Sequence, residues 1–407
     1  MHGPTIPVRL AGARYRRRAA SFALSALSVI ASGCHAGAVA RPGGPPAGAP
    51  NGPWSDVGTG DLDSLLSRAA KQYGVPAMQA TVRWADGTMW RGSSGITARA
   101  DRGSRDDAVF RVGSLTKLFT SVLVLQLVDA GAISLDDPLS RWFPGVPEAD
   151  RISVRMLLAH RSGVPEVLRS PWVQVRTSVG DKAWRPDDLI TIAARRRRTG
   201  EPDARFAYSN TNYILLGRIA ERVTGQPVAV LLRERITAPL GLARTRILPD
   251  TAPPAGLLTG YDRDMIPWPG YYRLRPGARS WATVAFTAGA MVSTADELAR
   301  FVEALAAGRL VSPDVRKEML TFHAAPMSAT PAQRGYGLGV EQLDLGAVES
   351  WGHVGSFIGF TAAAVHVPSR GITIAVTGNL STFDVLKVVS ALEQASAARM
   401  PSATTSP

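Results

Sequence analysis

Apolar residues recur at helical spacing at the start of the folded part. Leu62, Leu65, Leu66, Ala69 and Ala70 share one face behind a capping Asp61, which predicts an amphipathic helix to Tyr73. From Ala77 to Trp84 and from Thr88 to Ser93 the runs shorten to strand length around Ala85-Asp86-Gly87, which predicts a β-hairpin. Phe110-Arg111-Val112-Gly113 then leads into Leu115–Leu127, apolar nearly all round, as expected of a central buried helix. The middle, about 130–285, reads as helical and loop-rich, with helices over Leu189–Arg198 and Ile214–Val223. Strand patterns return at Gly339–Leu345, Gly359–Val367 and Gly371–Thr377, and a last helix covers about Phe383–Ala398. Both ends therefore supply strands with helices at their edges, while the middle supplies helices. This predicts an α/β (α+β) fold: one antiparallel sheet flanked by helices, with an inserted all-helical lobe. No internal repeat is visible.

The N-terminal segment has a different pattern. Arg14, Arg16, Arg17 and Arg18 precede an apolar stretch from Ala19 to Ile30 and then Ala31-Ser32-Gly33-Cys34. This is the layout of an export signal, too short to span a bilayer as a helix. Small residues before the only Cys also suit a bacterial lipobox, with Cys34 as the lipidated first residue; plain secretion is the alternative. The three consecutive Arg leave twin-arginine export open beside the general route. The expected organisation is a signal over 1–34, a Pro/Gly/Ala linker over 35–54, a catalytic domain over 55–395 and a loose tail over 396–407.

Composition changes little in this picture. The 407 residues are 45% hydrophobic and 19% charged, which suits a large globular core and excludes collagen-like or wholly disordered chains. The net charge of +13 falls to +8 if the segment before Cys34, with five Arg and no acid, is removed. The dense run Arg195–Arg198 reads as a solvated helix end, and no broad basic face with aromatics points to nucleic acid. No pair of His has metal-ligand spacing, so neither a metal nor another cofactor is expected.

The candidate chemistry starts at Ser114 and Lys117, one helical turn apart at the head of the buried helix. A serine hydroxyl is a poor nucleophile unless a base takes its proton, and a lysine in apolar surroundings gives up charge readily. With 31 Ser and five Lys, chance supplies about 0.4 such pairs, so the pair needs company. Tyr208-Ser209-Asn210 offers it: a phenol to shuttle a proton and a carboxamide to hold Lys117 or a substrate amide. Gly352-His353-Val354-Gly355-Ser356, placed just ahead of a predicted strand, is the third element. Its glycines admit a substrate to the backbone, the N–H of Ser356 with that of Ser114 forms an oxyanion hole, and His353 supplies a donor near the tetrahedral intermediate. His160 is assigned to structure, at a helix end.

These elements, in this order, resemble the serine β-lactamase and D-alanyl-D-alanine peptidase superfamily. The similarity is greatest to class C β-lactamase-like proteins and to the actinomycete-type carboxypeptidases, which pair Tyr-Ser-Asn with a His-led third motif. Phe110–Lys117, Leu125–Gly131, His160–Gly163, Tyr208–Tyr213, Pro239–Leu242, Ala288–Thr294 and Gly335–Gly339 extend the resemblance over most of 60–395. It implies a β-lactamase/transpeptidase-like fold, an acyl-enzyme on Ser114, and a small-molecule or peptidoglycan-peptide substrate at the cell surface. It also implies a pocket around Gly355, Val354 and Glu341. Two positions depart from the family: Val354 stands where a Thr helps hold a substrate carboxylate, and Glu341 stands near a place where a basic residue can occur. Both raise the standing of an ester, an amide or another peptide end as substrate. The expected function is an exported, penicillin-binding D-alanyl-D-alanine carboxypeptidase; a β-lactamase, an esterase and a non-catalytic tethered binding protein are the alternatives.

Overall fold

The computed structural model describes residues 62–95, 108–248, 254–262, 272–273, 279–325, 327, 330–346 and 348–397. The expected signal, Cys34 and the linker lie outside the described residues, as does the tail beyond 397. The strands are β1 (Met78–Arg83), β2 (Met89–Ser94), β3 (Phe110–Arg111), β4 (Arg246–Ile247), β5 (Tyr261–Asp262), β6 (Tyr272–Arg273), β7 (Met291–Ser293), β8 (His323–Ala324), β9 (Gln333–Tyr336), β10 (Glu341–Asp344), β11 (Glu349–Phe357), β12 (Phe360–Val367) and β13 (Ile372–Gly378). The helices are α1 (Leu62–Tyr73), α2 (Thr116–Asp129), α3 (Val154–Leu158), α4 (Pro171–Val179), α5 (Pro186–Ala194), α6 (Asn210–Thr224), α7 (Val228–Leu232), α8 (Arg279–Thr283), α9 (Ala295–Ala306), α10 (Pro313–Met319) and α11 (Val385–Ala397). Among them, none is long and apolar enough to cross a membrane.

Eight strands form one antiparallel sheet in the order β2-β1-β13-β12-β11-β10-β9-β8. The N-terminal hairpin joins the C-terminal strands directly, with Met78 opposite Gly378 and Arg83 opposite Thr373. Side chains alternate across the sheet, and the two faces differ in size. Ala362, Ala364 and Ala375 face the larger core, whereas Ala363, Val365, Val367, Ile374 and Val376 face the smaller one. The small side chains let α2 and α9 pack against the first face; α1 and α11 cover the second. The helical lobe, α3 to α7, continues the larger core.

Helix α2 shows why the apolar run had no polar side. Eleven of its fourteen residues are buried, Lys117 among them. Gly217 of α6 explains how the next layer fits. A Cβ there would overlap Thr287 Oγ1, so the turn Phe286–Ala288 lies directly on α6. Thr287 Oγ1 donates to Tyr213 O at 2.7 Å, and Thr120 Oγ1 donates to Thr287 O at 2.8 Å, which fixes that turn against both helices.

Three expectations change. The middle of the chain is not purely helical: β4 joins β3 and β7 in a small sheet of order β3-β7-β4, and β5 pairs with β6. Gly352–Ser356 precedes the expected strand, which is β12, but is itself part of a strand, β11, whose glycines had masked the pattern. The Arg195–Arg198 run is only partly a solvated helix end. Helix α5 stops at Ala194, and Arg198 turns back to donate to Pro147 O and Ser162 O, both at 2.9 Å.

Candidate active site

Ser114 lies in the turn Gly113–Leu115 that opens α2. Gly113 has φ +52°, and a Cβ on it would lie 2.6 Å from Ser356 O and 2.8 Å from Ser356 N. A Cβ on Gly355 would overlap Val112 O and lie 3.0 Å from Ser114 N. Strand β11 thus meets the Ser114 turn backbone to backbone, an approach that only glycine on both sides permits. Strand β10 ends at Glu341, opposite Gly352, so β11 runs on past its neighbour. The N–H of Val354 points to that side, to Glu341 Oε2 at 2.9 Å. By the two-residue period of a strand, the N–H of Ser356 points the same way, beside Ser114. Two backbone donors so placed can receive a developing oxyanion.

Around Ser114 Oγ the chain gathers groups from three segments. Lys117 Nζ stands 3.1 Å away and the Tyr208 hydroxyl 2.9 Å away. Lys117 also donates to Asn210 Oδ1 and to Ala288 O, both at 2.7 Å. Those two oxygens can only accept, so they occupy two N–H groups of the lysine. Its third position faces Ser114 Oγ, where an ammonium offers a proton and a free amine offers a lone pair. The rings of Tyr208 and Tyr213 lie 4.8 and 5.5 Å from Nζ and supply a π-face to the cation.

His353 is brought to the same region but does not face Ser114. It is fully buried, with Nδ1 2.6 Å from Val354 O and Nε2 3.1 Å from the Tyr336 hydroxyl. A carbonyl only accepts, so Nδ1 carries the proton and Nε2 accepts from Tyr336. Burial holds the Tyr336 phenol well above its usual range, and it remains a donor. Both ring nitrogens are therefore engaged. The expectation that His353 donates to the tetrahedral intermediate is corrected on that ground.

Glu341 and Val354 also differ from an open pocket wall. Val354 packs against the smaller core, on the opposite face from the His353 ring. Its contribution to the site is its backbone. Glu341 is 3% exposed and its Oε1 lies 3.4 Å from His353 Nδ1. Burial pushes the Glu341 carboxyl up to about 8, opposed by the Val354 N–H and by Lys117. Burial, then Lys117, brings His353 down to about 3. The contact is thus between a neutral acid and a neutral imidazole at pH 7, not an ion pair.

The signs give a testable pH dependence. Glu341 is raised on folding, so its contribution is present below about pH 4.5, the ordinary carboxyl value, and is lost as pH rises through about 8. His353 is lowered, so its contribution is present above pH 6.5 and is lost as pH falls through about 3. The two slopes oppose each other between them, and above pH 6.5 only the Glu341 slope remains. Glu341→Gln is expected to flatten the fall in urea midpoint between pH 6.5 and about 8. An unchanged slope in the variant contradicts the assignment.

Sequence reasoning missed two contributors. Glu166, 8% exposed, accepts from the Asn210 backbone N–H at 2.5 Å, from Asn210 Nδ2 at 2.9 Å and from the Leu168 N–H at 2.7 Å. Holding Nδ2 turns Oδ1 of Asn210 toward Lys117. Its only signal was an acid three residues after the His160–Gly163 segment. The Ala288 carbonyl had no side-chain signal at all. Among the described residues, no group of three or more His, Cys, Asp or Glu could hold a metal ion.

The family model described as Beta-lactamase matches residues 62–398. The chain belongs to that family. It is 29% identical to penicillin-binding protein 4 of Amycolatopsis lactamdurans over 330 residues, 76% of this chain and 82% of that protein. Among solved structures it is similar to a D-stereospecific amidohydrolase from Streptomyces sp., with 31% identity, 81% of this chain and 97% of that one covered, and a TM-score of 0.71. The D-amino acid amidase of Ochrobactrum anthropi SV3 superposes with a TM-score of 0.73 at 28% identity, covering 83% of this chain and 97% of that one. The antiparallel sheet with its helical lobe is the fold of this family, and the protein is a serine hydrolase.

Proposed function

We propose that the protein forms an acyl-enzyme on Ser114 and acts as a penicillin-binding, D-alanyl-D-alanine carboxypeptidase-like hydrolase. The observation behind this reading is the placement of Lys117 Nζ and the Tyr208 hydroxyl on Ser114 Oγ, at 3.1 and 2.9 Å. Lys117, as the free amine, takes the Ser114 proton while Oγ bonds to the substrate carbonyl. The carbonyl oxygen becomes an oxyanion received by the N–H groups of Ser114 and Ser356. Tyr208 gives its phenolic proton to the leaving amine or alkoxide as the scissile bond breaks. Water then attacks the ester and gives a proton to the Tyr208 phenolate. Ser114 leaves and recovers its proton from Lys117, which restores every group. The reading includes export, with Cys34 as a lipid anchor or, failing lipidation, release from the cell.

A second reading concerns the acyl donor, and Glu341 favours it. A buried carboxyl behind β11 gives a substrate carboxylate no cation. The penicillin-binding relative and the D-amino acid amidase frame the choice: a peptide end with a free carboxylate, or a D-amino acid amide or ester without one. On this second reading the preferred donor is the one without a carboxylate. A panel of a D-Ala-D-Ala peptide, a D-amino acid amide, a short-chain nitrophenyl ester and nitrocefin tests this. The expected order places the amide and ester above the dipeptide end, with nitrocefin giving a slow, stable adduct. Preference for the free carboxylate overturns the second reading, and rapid nitrocefin turnover makes the protein a β-lactamase.

A further inference from the structure

One buried residue packs on the Tyr208 ring and holds the chain on both sides of it. His160 follows α3 with φ +55°, a left-handed conformation that usually falls to Gly or Asn at a helix end. It is fully buried. Its carbonyl accepts the Ala207 N–H at 2.8 Å, and its Nδ1 accepts the Ser209 N–H at 3.2 Å. These are the N–H groups of the residues before and after Tyr208. Its ring lies 4.3 Å from the Tyr208 ring at 35°, so the phenol rests on the imidazole. The rings of Tyr336, Tyr213 and Phe206, at 5.0, 5.1 and 5.9 Å, close the cage.

The tautomer follows from the neighbours. Ser162 Oγ donates to Asn212 Oδ1 at 2.7 Å, so the other end of that amide, Nδ2, faces His160 Nδ1 at 3.3 Å as a donor. With Ser209 N–H also donating, Nδ1 must be bare, and Nε2 carries the hydrogen. Nε2 has no hydrogen-bond partner among the described residues and is shielded from water. Burial, with Lys117 and His353, keeps this imidazole well below its usual range, so it stays neutral. A residue needed only to end a helix does not require an aromatic ring, a bare Nδ1 and an unpartnered Nε2–H.

We infer that His160 is a positioning residue for the reaction: it sets the height and tilt of the Tyr208 phenol over Ser114 through its ring and its Nδ1. The inference rests on the reading of Tyr208 as proton carrier to an acyl-enzyme on Ser114. His160→Phe keeps the ring and removes the acceptor; His160→Asn keeps an acceptor and removes the ring. Each is expected to lower the acylation rate constant with a penicillin by about 10²-fold, the scale of a misplaced reacting group, with noncovalent binding unchanged. In a Tyr208→Phe background the same substitutions are expected to cost less than about threefold, because the hydroxyl they position is gone.

Equal losses in both backgrounds, or no loss in either variant, overturn the inference. If neither variant folds, 15N shifts of the wild-type imidazole decide: a neutral ring with Nδ1 bare supports the clamp, and a proton on Nδ1 overturns it. Failure of the underlying reading looks different, since wild type then forms no adduct on Ser114 and Tyr208→Phe alone has no effect.

Discussion

Lys117→Met is expected to abolish acylation, with a loss on the order of 10⁴-fold or more, while the protein remains folded. Methionine keeps the length and packing of the side chain in a helix whose surroundings are buried. What it removes is the amine between Ser114 Oγ, Asn210 Oδ1 and Ala288 O. Without it the Ser114 proton has nowhere to go as the C–O bond forms. The effect on stability is smaller because two terms oppose. Leaving two buried oxygens without donors costs about 1–3 kcal/mol each. Against that, the variant no longer has to bury an ionisable amine, itself a cost of several kcal/mol when charged. Thermal melting beside penicillin labelling checks both parts. A melting temperature near wild type with labelling gone fits this account, and retained labelling does not.

Tyr208→Phe is expected to cost about 10²–10⁴-fold in acylation, the range of a lost general acid or base. The change deletes one oxygen and keeps the ring against His160. Its cost depends on the leaving group. An amide departs as a poor anion and needs the Tyr208 proton; a nitrophenolate leaves without help. The loss is therefore expected to be larger for a D-amino acid amide than for a nitrophenyl ester. Equal losses on the two substrates would place the hydroxyl in binding rather than in proton delivery.

Much of this was legible in the chain because it is local. Helix α1, the β1–β2 hairpin and α2 follow from spacing alone, and Ser114, in the turn that opens α2, stands three residues before Lys117 in its first turn. What was not legible depends on contacts between distant segments. Strand β11 was hidden by Gly352 and Gly355, and Gly355 is needed because its backbone meets Val112 and Ser114 across the fold. Glu166 acts through Asn210, 44 residues away, and the Ala288 oxygen belongs to a backbone turn held by Thr120 and Gly217. His353 kept its place beside the site but not its expected task, because Tyr336 and the Val354 carbonyl take both of its nitrogens. Arg198 shows the same limit in reverse: a charge run reads as solvated until a carbonyl such as Ser162 O is found beside it.

The central claim is that one hydroxyl, that of Ser114, becomes acylated. Its most direct measurement is peptide mapping by mass spectrometry after reaction with a penicillin or a fluorophosphonate. A single adduct is expected on the peptide containing Ser114, stoichiometric in wild type and absent in Ser114→Ala. An adduct on any other residue, or one that survives Ser114→Ala, would contradict it.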